Sequence, residues 1–567
     1  MKEPLEILQK YWGYSSFVGI QEKIISSILS KKDTLGIMPT GGGKSICYQV
    51  PAMLQSGICL VIEPLISLIK DQIDNLDKVG IRAVTINHLQ SKDKNLSAMN
   101  QCLNHRAKFL FVSAERLQSS SFINNLIQLN INLIAIDEAH CISQWGHSFR
   151  PSYLRIGDLK DIFPNVPFLA LTATATEYVK EDIKKVLRFK EYNSNILTTS
   201  FFRENIHLKF HETEDKIEKI AITAKHLKTA GIVYCNKRVD TVMIAHHLKE
   251  DYGLNAEAYH AQLTPYERNN VQNLWIKNEI QIIVATTAFG MGIDKADVGF
   301  VIHTSIPSSI ERYYQEFGRA GRNKQKAFSV VLYNKDDLYS QKYITENIYP
   351  DKKIIKAVYN KVCSDAKIAT GCGKGENFPI DFKELSVKLD LSETVVFNSL
   401  KILENEGWWR LSCEESPLSQ ARILVDNKTL NDFLYDYEAY YYIIAYLLRE
   451  YPAIHHEYVR INETYMAQQE HISETQVKKD LVFLMKNNII EYVRKEKGDN
   501  ITLLEDRTYF DNGLLSKEIY TIPKQSTIEK GKKMRELVLT KTCRWQYILN
   551  YFGEKSDKCF VCDNCKK

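Results

Sequence analysis

The sequence has no apolar run approaching the roughly 18 residues that a membrane-spanning helix needs, and its first nine residues carry Lys2, Glu3 and Glu6 without an apolar signal core. A cytoplasmic chain with no membrane partner is therefore expected. Strong charge of either sign is also missing: 74 Lys and Arg against 69 Asp and Glu leave a formal charge of +5. That balance is compatible with a polyanionic partner but excludes binding nucleic acid by charge alone. No segment is low in complexity, and Cys47, Cys59, Cys102, Cys141 and Cys235 stand singly in apolar or helical surroundings, where a thiol acts as a small buried hydrophobe. What the chain does have is length. Its 567 residues exceed what one hydrophobic core serves and predict about three to five domains.

From Leu35 to about Val186, short apolar runs (CLVIEPL, KFLFVSA, NLIAIDE, FLALTAT) alternate with stretches of helical period, the pattern of a parallel α/β sheet. A second series (GIVYC, AEAYH, QIIVATT, VGFVIHT) begins after Phe201-Phe202-Arg203. The expected fold class is thus α/β, with two parallel-sheet domains at residues 1–205 and 206–345 and a ligand crevice between them. Beyond about Tyr349 the texture turns helical and polar. Phe382 to Leu411 reads as helix, turn at Asp390-Leu391-Ser392, helix, and a wing at Gly407-Trp408-Trp409-Arg410. Ile461 to Arg507 repeats the scheme more weakly, with Ile472-Ser473 opening its second helix and Lys497-Gly498-Asp499-Asn500 turning its wing. Winged-helix-like domains are expected at 346–425 and 426–525, with two plain helical bundles as the alternative.

Met38-Pro39-Thr40-Gly41-Gly42-Gly43-Lys44-Ser45 lies between the strand-like DTLGI and the helix-like ICYQVPAML, the setting of a phosphate loop. Gly41, Gly42 and Gly43 let backbone N–H groups close on phosphate, Lys44 can bridge terminal phosphates, and Ser45 can bind Mg2+. The strict pattern has glycine where Met38 stands, and alone the match could be a glycine-rich turn. Asp137-Glu138-Ala139-His140 ends the apolar run LIAI, so its carboxylates fall at the carboxyl edge of a strand, where Asp137 can join a Mg2+ shell and Glu138 can deprotonate an attacking water. Acids at a helix start are the alternative. Leu171 to Thr176 (LTATAT) closes another strand. Gln315 to Arg322 (QEFGRAGR) places Arg319 and Arg322 on one face, two guanidinium groups suited to phosphate oxygens from across the crevice; alone they would be a solvated basic turn.

Together these words resemble superfamily 2 helicases, and the RecQ family in particular, over roughly residues 8 to 335. MPTGGGKS, PLISLIKDQ, DEAHCISQWGHSFRPSY, LTATAT, VYCN, ATTAFGMGIDKADV and YYQEFGRAGR carry the likeness, and the aromatic continuation of DEAH is its most discriminating part. The resemblance implies two RecA-like motor domains that use ATP and Mg2+ to move 3'-to-5' along single-stranded DNA and unwind duplex junctions in repair or recombination, in nucleoid-associated work. It implies Gln21 and Asp294 at adenine and ribose, with Thr286 and Thr287 transmitting domain closure. It also implies Trp145, His147, Phe149 and Arg150 in a loop that senses single-stranded DNA, where Trp145 and Phe149 offer stacking faces and Arg150 and His147 reach backbone or a carboxylate. The sequence departs from the family at Val18, where Arg is usual, at Gln262, where Gly is usual, and at Glu63, where Ser is usual. Glu63 is expected to weaken a contact with the DNA strand by like-charge repulsion. Two other readings stand beside the helicase: a DNA-binding scaffold with a silent motor, and an RNA remodeller or non-unwinding translocase.

Cys543, Cys559, Cys562 and Cys565 have the spacing C-x15-C-x2-C-x2-C, four thiolates able to close a tetrahedral structural Zn2+ site in a C-terminal module at 526–567. CRWQYILNYFGE resembles the helix that carries the first ligand of the RecQ zinc module. In that family the module follows the motor directly, whereas here 220 residues separate Arg322 from Cys543, so the zinc end is expected to be displaced. With the sequence stopping at Lys567, no further C-terminal helical domain is expected.

Overall fold

Strands that read as unbroken apolar runs, such as Ile58–Ile62 and Ile131–Ile136, are buried along their whole length because helices cover both faces of the sheet that they build. The computed structural model of the protein describes residues 3–87, 90–143, 145–146, 149–290, 295–412, 419–451, 454–455, 458–470, 472–493, 499–509 and 515–565. The chain divides into two compact units, Met1–Glu346 with Ile522–Lys567, and Asn347–Thr521.

The first unit contains two parallel sheets. Strands β1 (Asp33–Ile37), β2 (Ile58–Ile62), β3 (Ala83–Ile86), β4 (Phe109–Val112), β5 (Ile131–Ile136), β6 (Phe168–Thr172) and β7 (Ser194–Thr198) form a seven-stranded sheet in the order β3-β4-β2-β5-β6-β1-β7. Side chains alternate between faces, so Ile134 and Ile136 enter one core while Leu133 and Ala135 enter the other. The order sets β6 between β1 and β5, which brings the segments after all three together at one edge. Strands β8 (Ile206–Glu212), β9 (Ala230–Tyr234), β10 (Ala256–Tyr259), β11 (Ile282–Ala285), β12 (Val298–His303) and β13 (Ala327–Tyr333) form the second sheet, in the order β10-β11-β9-β12-β13-β8. These are the two RecA-like layers expected from the sequence.

The zinc end is displaced in sequence only. The helix Arg544–Tyr551 packs on the start of the second sheet, where Trp545 Nε1 donates to Ile206 O at 3.1 Å and Phe210 N donates to Asp563 Oδ2 at 3.0 Å. Phe552 stacks on Phe201 with ring centroids 4.5 Å apart, a pair worth about 0.5–1.5 kcal/mol beyond its burial. Residues 347–521 are therefore an insertion between a motor and a module that remain neighbours.

Within the second unit, β14 (Asn377–Ile380), β15 (Trp409–Ser412) and β19 (Asp499–Leu503) form one antiparallel sheet, and β16 (Ser419–Ile423), β17 (Val459–Ile461) and β18 (Ile490–Val493) form another. Two helix-turn-helix units are present: Phe382–Leu389 with Glu393–Asn405, and Glu463–Gln469 with Glu474–Lys486. Ser392 and Ser473 cap the second helix of each by accepting from Val395 N and Gln476 N. The wings differ from the sequence reading. Asp499–Leu503 does not complete the second unit but pairs with Trp409–Ser412 in the first, so one winged helix is inserted into the wing of the other. Trp409, expected in the wing, is fully buried in its own core, where it stacks on Tyr359 and donates to Leu400 O at 3.0 Å, so it offers no face to a base pair.

Candidate functional site

The turn after β1 needs glycine at two points. Gly41 and Gly43 adopt φ of +80° and +70°, a left-handed conformation costly for other residues, and both are exposed with their backbone accessible. Lys44 opens toward the end of β5, with its Nζ 3.3 Å from Glu138 Oε1 and 4.0 Å from Asp137 Oδ1. Burial alone would lower the Lys44 ammonium's pKa, but Glu138 and Asp137 outweigh it and hold the value up. Burial pushes Asp137 above the usual carboxylate range against the opposing pull of Lys44. Ser45 starts the helix Ile46–Leu54 without capping it through its side chain. Ser45 and Asp137 are hard oxygen donors of the kind Mg2+ takes, and their placement at one sheet edge, after strands on either side of β6, fits that ion.

Glu138 sits at φ +47°, in the left-handed region, and its Oε2 lies 3.2 Å from His140 Nδ1, which in turn lies 3.0 Å from Thr172 Oγ1. The LTATAT segment is thereby tied to the acidic pair through His140, a residue whose role the sequence reading passed over. Its position three after Asp137, facing a Thr at the end of the neighbouring strand, was the available signal. Gln21, expected at adenine, has its amide engaged by the phosphate loop: Nε2 donates to Gly42 O and Gly43 O, both at 3.1 Å, and Oε1 accepts from Val18 N at 2.9 Å. Val18 itself is 58% exposed. Asp294 lies outside the described residues, and so does His147.

The two arginines are not equivalent. Arg322 lies over the phosphate loop, where a Cβ on Gly41 would come within 3.1 Å of its Cδ and Nε. Arg319 is buried inside the second sheet's domain, 3.9 Å from the position that a Cβ on Gly290 would take. Of the two, Arg322 is the one placed over the phosphate loop. Thr40 flanks the loop half-buried, and Thr286 and Thr287 follow β11 with Thr287 exposed.

Seven residues beyond Glu138, Trp145 stacks on Tyr178 with centroids 5.5 Å apart at 26°. Gly146 cannot be replaced without movement, because a Cβ there would fall 2.1 Å from His140 O. Its carbonyl accepts from Lys530 Nζ at 2.8 Å, a contact from the helix Ile522–Leu539 that leads to the zinc module. Arg150 pairs with Glu115 at 3.5 Å, and Phe149 is half-buried. The loop therefore touches both the acidic pair's segment and the helix that follows the insertion.

Glu63 is not on the surface. It is 2% exposed at the end of β2, next to β5, and burial followed by the Asp137 and Glu138 charges pushes its carboxyl well above the usual range. The expected effect on a strand contact has no geometric basis.

At the C-terminal end, the sulfur atoms of Cys543, Cys559, Cys562 and Cys565 all lie within 4.8 Å of one another. Tetrahedral Zn–S bonds of about 2.3 Å place sulfurs about 3.8 Å apart, close to the 4.0 Å between Cys559 and Cys565. Cys543 Sγ accepts from Gln546 N and Cys559 N at 3.4 and 3.3 Å, and Cys559 Sγ from Val561 N at 3.4 Å, contacts that favour thiolate. The hydrogen bond from Cys559 holds the Cys562 thiol well below its usual range and pushes Cys559 up in turn, so the sulfurs share their protons as a cluster.

No described helix is long and apolar enough to cross a membrane. The DEAD/DEAH box helicase family model matches residues 19–182, the helicase conserved C-terminal domain 212–324, the RecQ helicase winged-helix domain of Bacteroidota 421–494, and the RecQ zinc-binding model 509–566. The chain is 43% identical over 334 residues to the ATP-dependent DNA helicase RecQ of Pasteurella multocida, which covers 59% of this chain and 52% of the relative. It is 41% identical over 352 residues to the protein of that name from Bacillus subtilis, covering 61% and 59%. The chain thus spans a little over half the length of these relatives. Among solved structures, the DUF1998 helicase MrfA bound to DNA superposes with a TM-score of 0.51 at 20% identity, covering 60% of this chain and 52% of the other, a likeness of fold. Two models specific to RecQ modules match residues 421–494 and 509–566, and the motor is more than 40% identical to RecQ relatives: the chain is similar to RecQ-family proteins in its motor, its winged helix and its cysteine-bearing end.

Proposed function

We propose that the chain is an ATP-dependent DNA helicase, which hydrolyses ATP to move 3'-to-5' along single-stranded DNA and part duplex junctions in repair or recombination, on cytoplasmic, nucleoid-associated DNA. The observation that carries this reading is the meeting of Lys44 with Asp137 and Glu138 at one sheet edge, with Arg322 over the phosphate loop and an aromatic residue, Trp145, seven positions beyond Glu138.

Lys44 and the N–H groups of Gly41 to Ser45 bind the β- and γ-phosphates. Mg2+, held by Ser45 and Asp137, would neutralise charge on those phosphates. Glu138 takes a proton from the attacking water, oriented by His140. Arg322 reaches the γ-phosphate when the two sheets close, and Arg319 holds its own side of the crevice together. Gln21 exchanges its loop contacts for adenine, with Asp294 toward the ribose and Thr286 and Thr287 relaying closure. Trp145 and Phe149 stack on bases, with His147 and Arg150 toward the backbone, and Trp145 leaves Tyr178 to do so.

ATP turnover measured with and without single-stranded DNA tests the coupling. Trp145→Ala removes one stacking face, worth about 1–3 kcal/mol, and is expected to cut the stimulation by DNA roughly tenfold or more. No ATP turnover by the unsubstituted protein with single-stranded DNA and magnesium, judged against Lys44→Ala, would sink the enzyme reading and leave the silent-motor scaffold.

A further inference from the structure

Three carboxylates surround one ammonium at the nucleotide site. Asp137 N donates to Ile62 O at 3.0 Å, and Ile62 and Ile136 are register partners, so Glu63 and Asp137 leave neighbouring parallel strands side by side. Glu63 is almost wholly buried, and its Oε1 has no hydrogen-bond partner among the described residues. A buried carboxylate without a partner is costly. Lys44, the cation that the described ion pairs place here, is already shared by Asp137 and Glu138. The site therefore carries one more acidic group than its protein cation accounts for, in the place where nucleotide phosphates bring a divalent cation.

We propose that Glu63 is a third acidic group of the nucleotide site, placed beside Asp137 to attract the divalent cation bound with the phosphates, through that cation's water or directly. The inference rests on the nucleotide-site reading above. Serine at this position would supply no charge, so the chain depends more steeply on the cation for nucleotide binding than a serine-bearing one.

Equilibrium binding of a fluorescent ATP analogue to the full chain, once with excess Mg2+ and once with EDTA, tests this without turnover. The factor by which Mg2+ tightens binding is expected to fall roughly tenfold in Glu63→Gln and Glu63→Ser. Thermal melts followed by circular dichroism check folding, and the isosteric Glu63→Gln decides the matter if Glu63→Ser unfolds. A factor within about twofold of the unsubstituted protein, with Lys44→Ala still abolishing binding, overturns the role of Glu63 alone. Failure of every form to bind nucleotide overturns the nucleotide-site reading and this inference with it.

Discussion

Glu138→Gln is expected to lower the turnover number for ATP by about 10²–10⁴-fold while leaving ATP bound, if Glu138 is the proposed base. The amide keeps the length and shape of the side chain, so the left-handed backbone at φ +47° and the space beside His140 are undisturbed. What is lost is the group that accepts the water's proton. Lys44 retains Asp137 at 4.0 Å, and the loop's backbone N–H groups are unaffected, so the phosphates keep their cradle. Steady-state turnover beside equilibrium binding of the same nucleotide separates the two effects. If turnover stays within about threefold of the unsubstituted rate, the base lies elsewhere. Lys44→Ala differs in kind: it removes phosphate binding and leaves two buried carboxylates without their cation, a loss of about 3–5 kcal/mol in stability terms.

Cys562→Ser is expected to lose metal and stability together. The intact chain should hold about one Zn2+, and structural zinc sites contribute about 10–16 kcal/mol of binding energy that is also folding energy. Cys562 is fully buried, and its module packs through Trp545 and Phe552 on the residues that start the second sheet. Losing the module uncovers those aromatics as well as the thiolates, so solubility and DNA binding fall too. At about 2–4 °C per kcal/mol for a domain of this size, a loss of several kcal/mol lowers the first melting transition by about 10 °C or more. Metal analysis finding no zinc in the purified protein, or an unchanged melt in the variant, contradicts the assignment.

The nucleotide site was legible because its chemistry sits in short words at strand ends. Gly41 to Ser45, Asp137 and Glu138 each follow an apolar run, and chain order with strand periodicity is enough to bring them to one edge. Arg319 and Arg322 were legible as a pair, but only the fold separates the one over Gly41 from the one buried in its own domain. Contacts between distant segments were not legible. Trp545 meets Ile206 across 339 residues, and no local pattern announces that an insertion leaves the zinc module against the motor. The same holds for β19, whose alternation suits a wing in either winged helix and whose partner at Trp409–Ser412 is a matter of tertiary pairing. Glu63 was visible as a departure, yet its meaning depended on the strand beside it: the sequence suggested a surface charge, and the sheet order put it beside Asp137, buried.

Strand separation on 3'-tailed, 5'-tailed and forked DNA duplexes and on matching RNA duplexes, each with ATP and with Lys44→Ala as control, tests the proposed activity most directly. The account predicts ATP-dependent separation of forked and 3'-tailed DNA, little on 5'-tailed DNA or RNA, and none with Lys44→Ala. Separation of RNA in preference to DNA, or ATP turnover on DNA without any separation of strands, would contradict it.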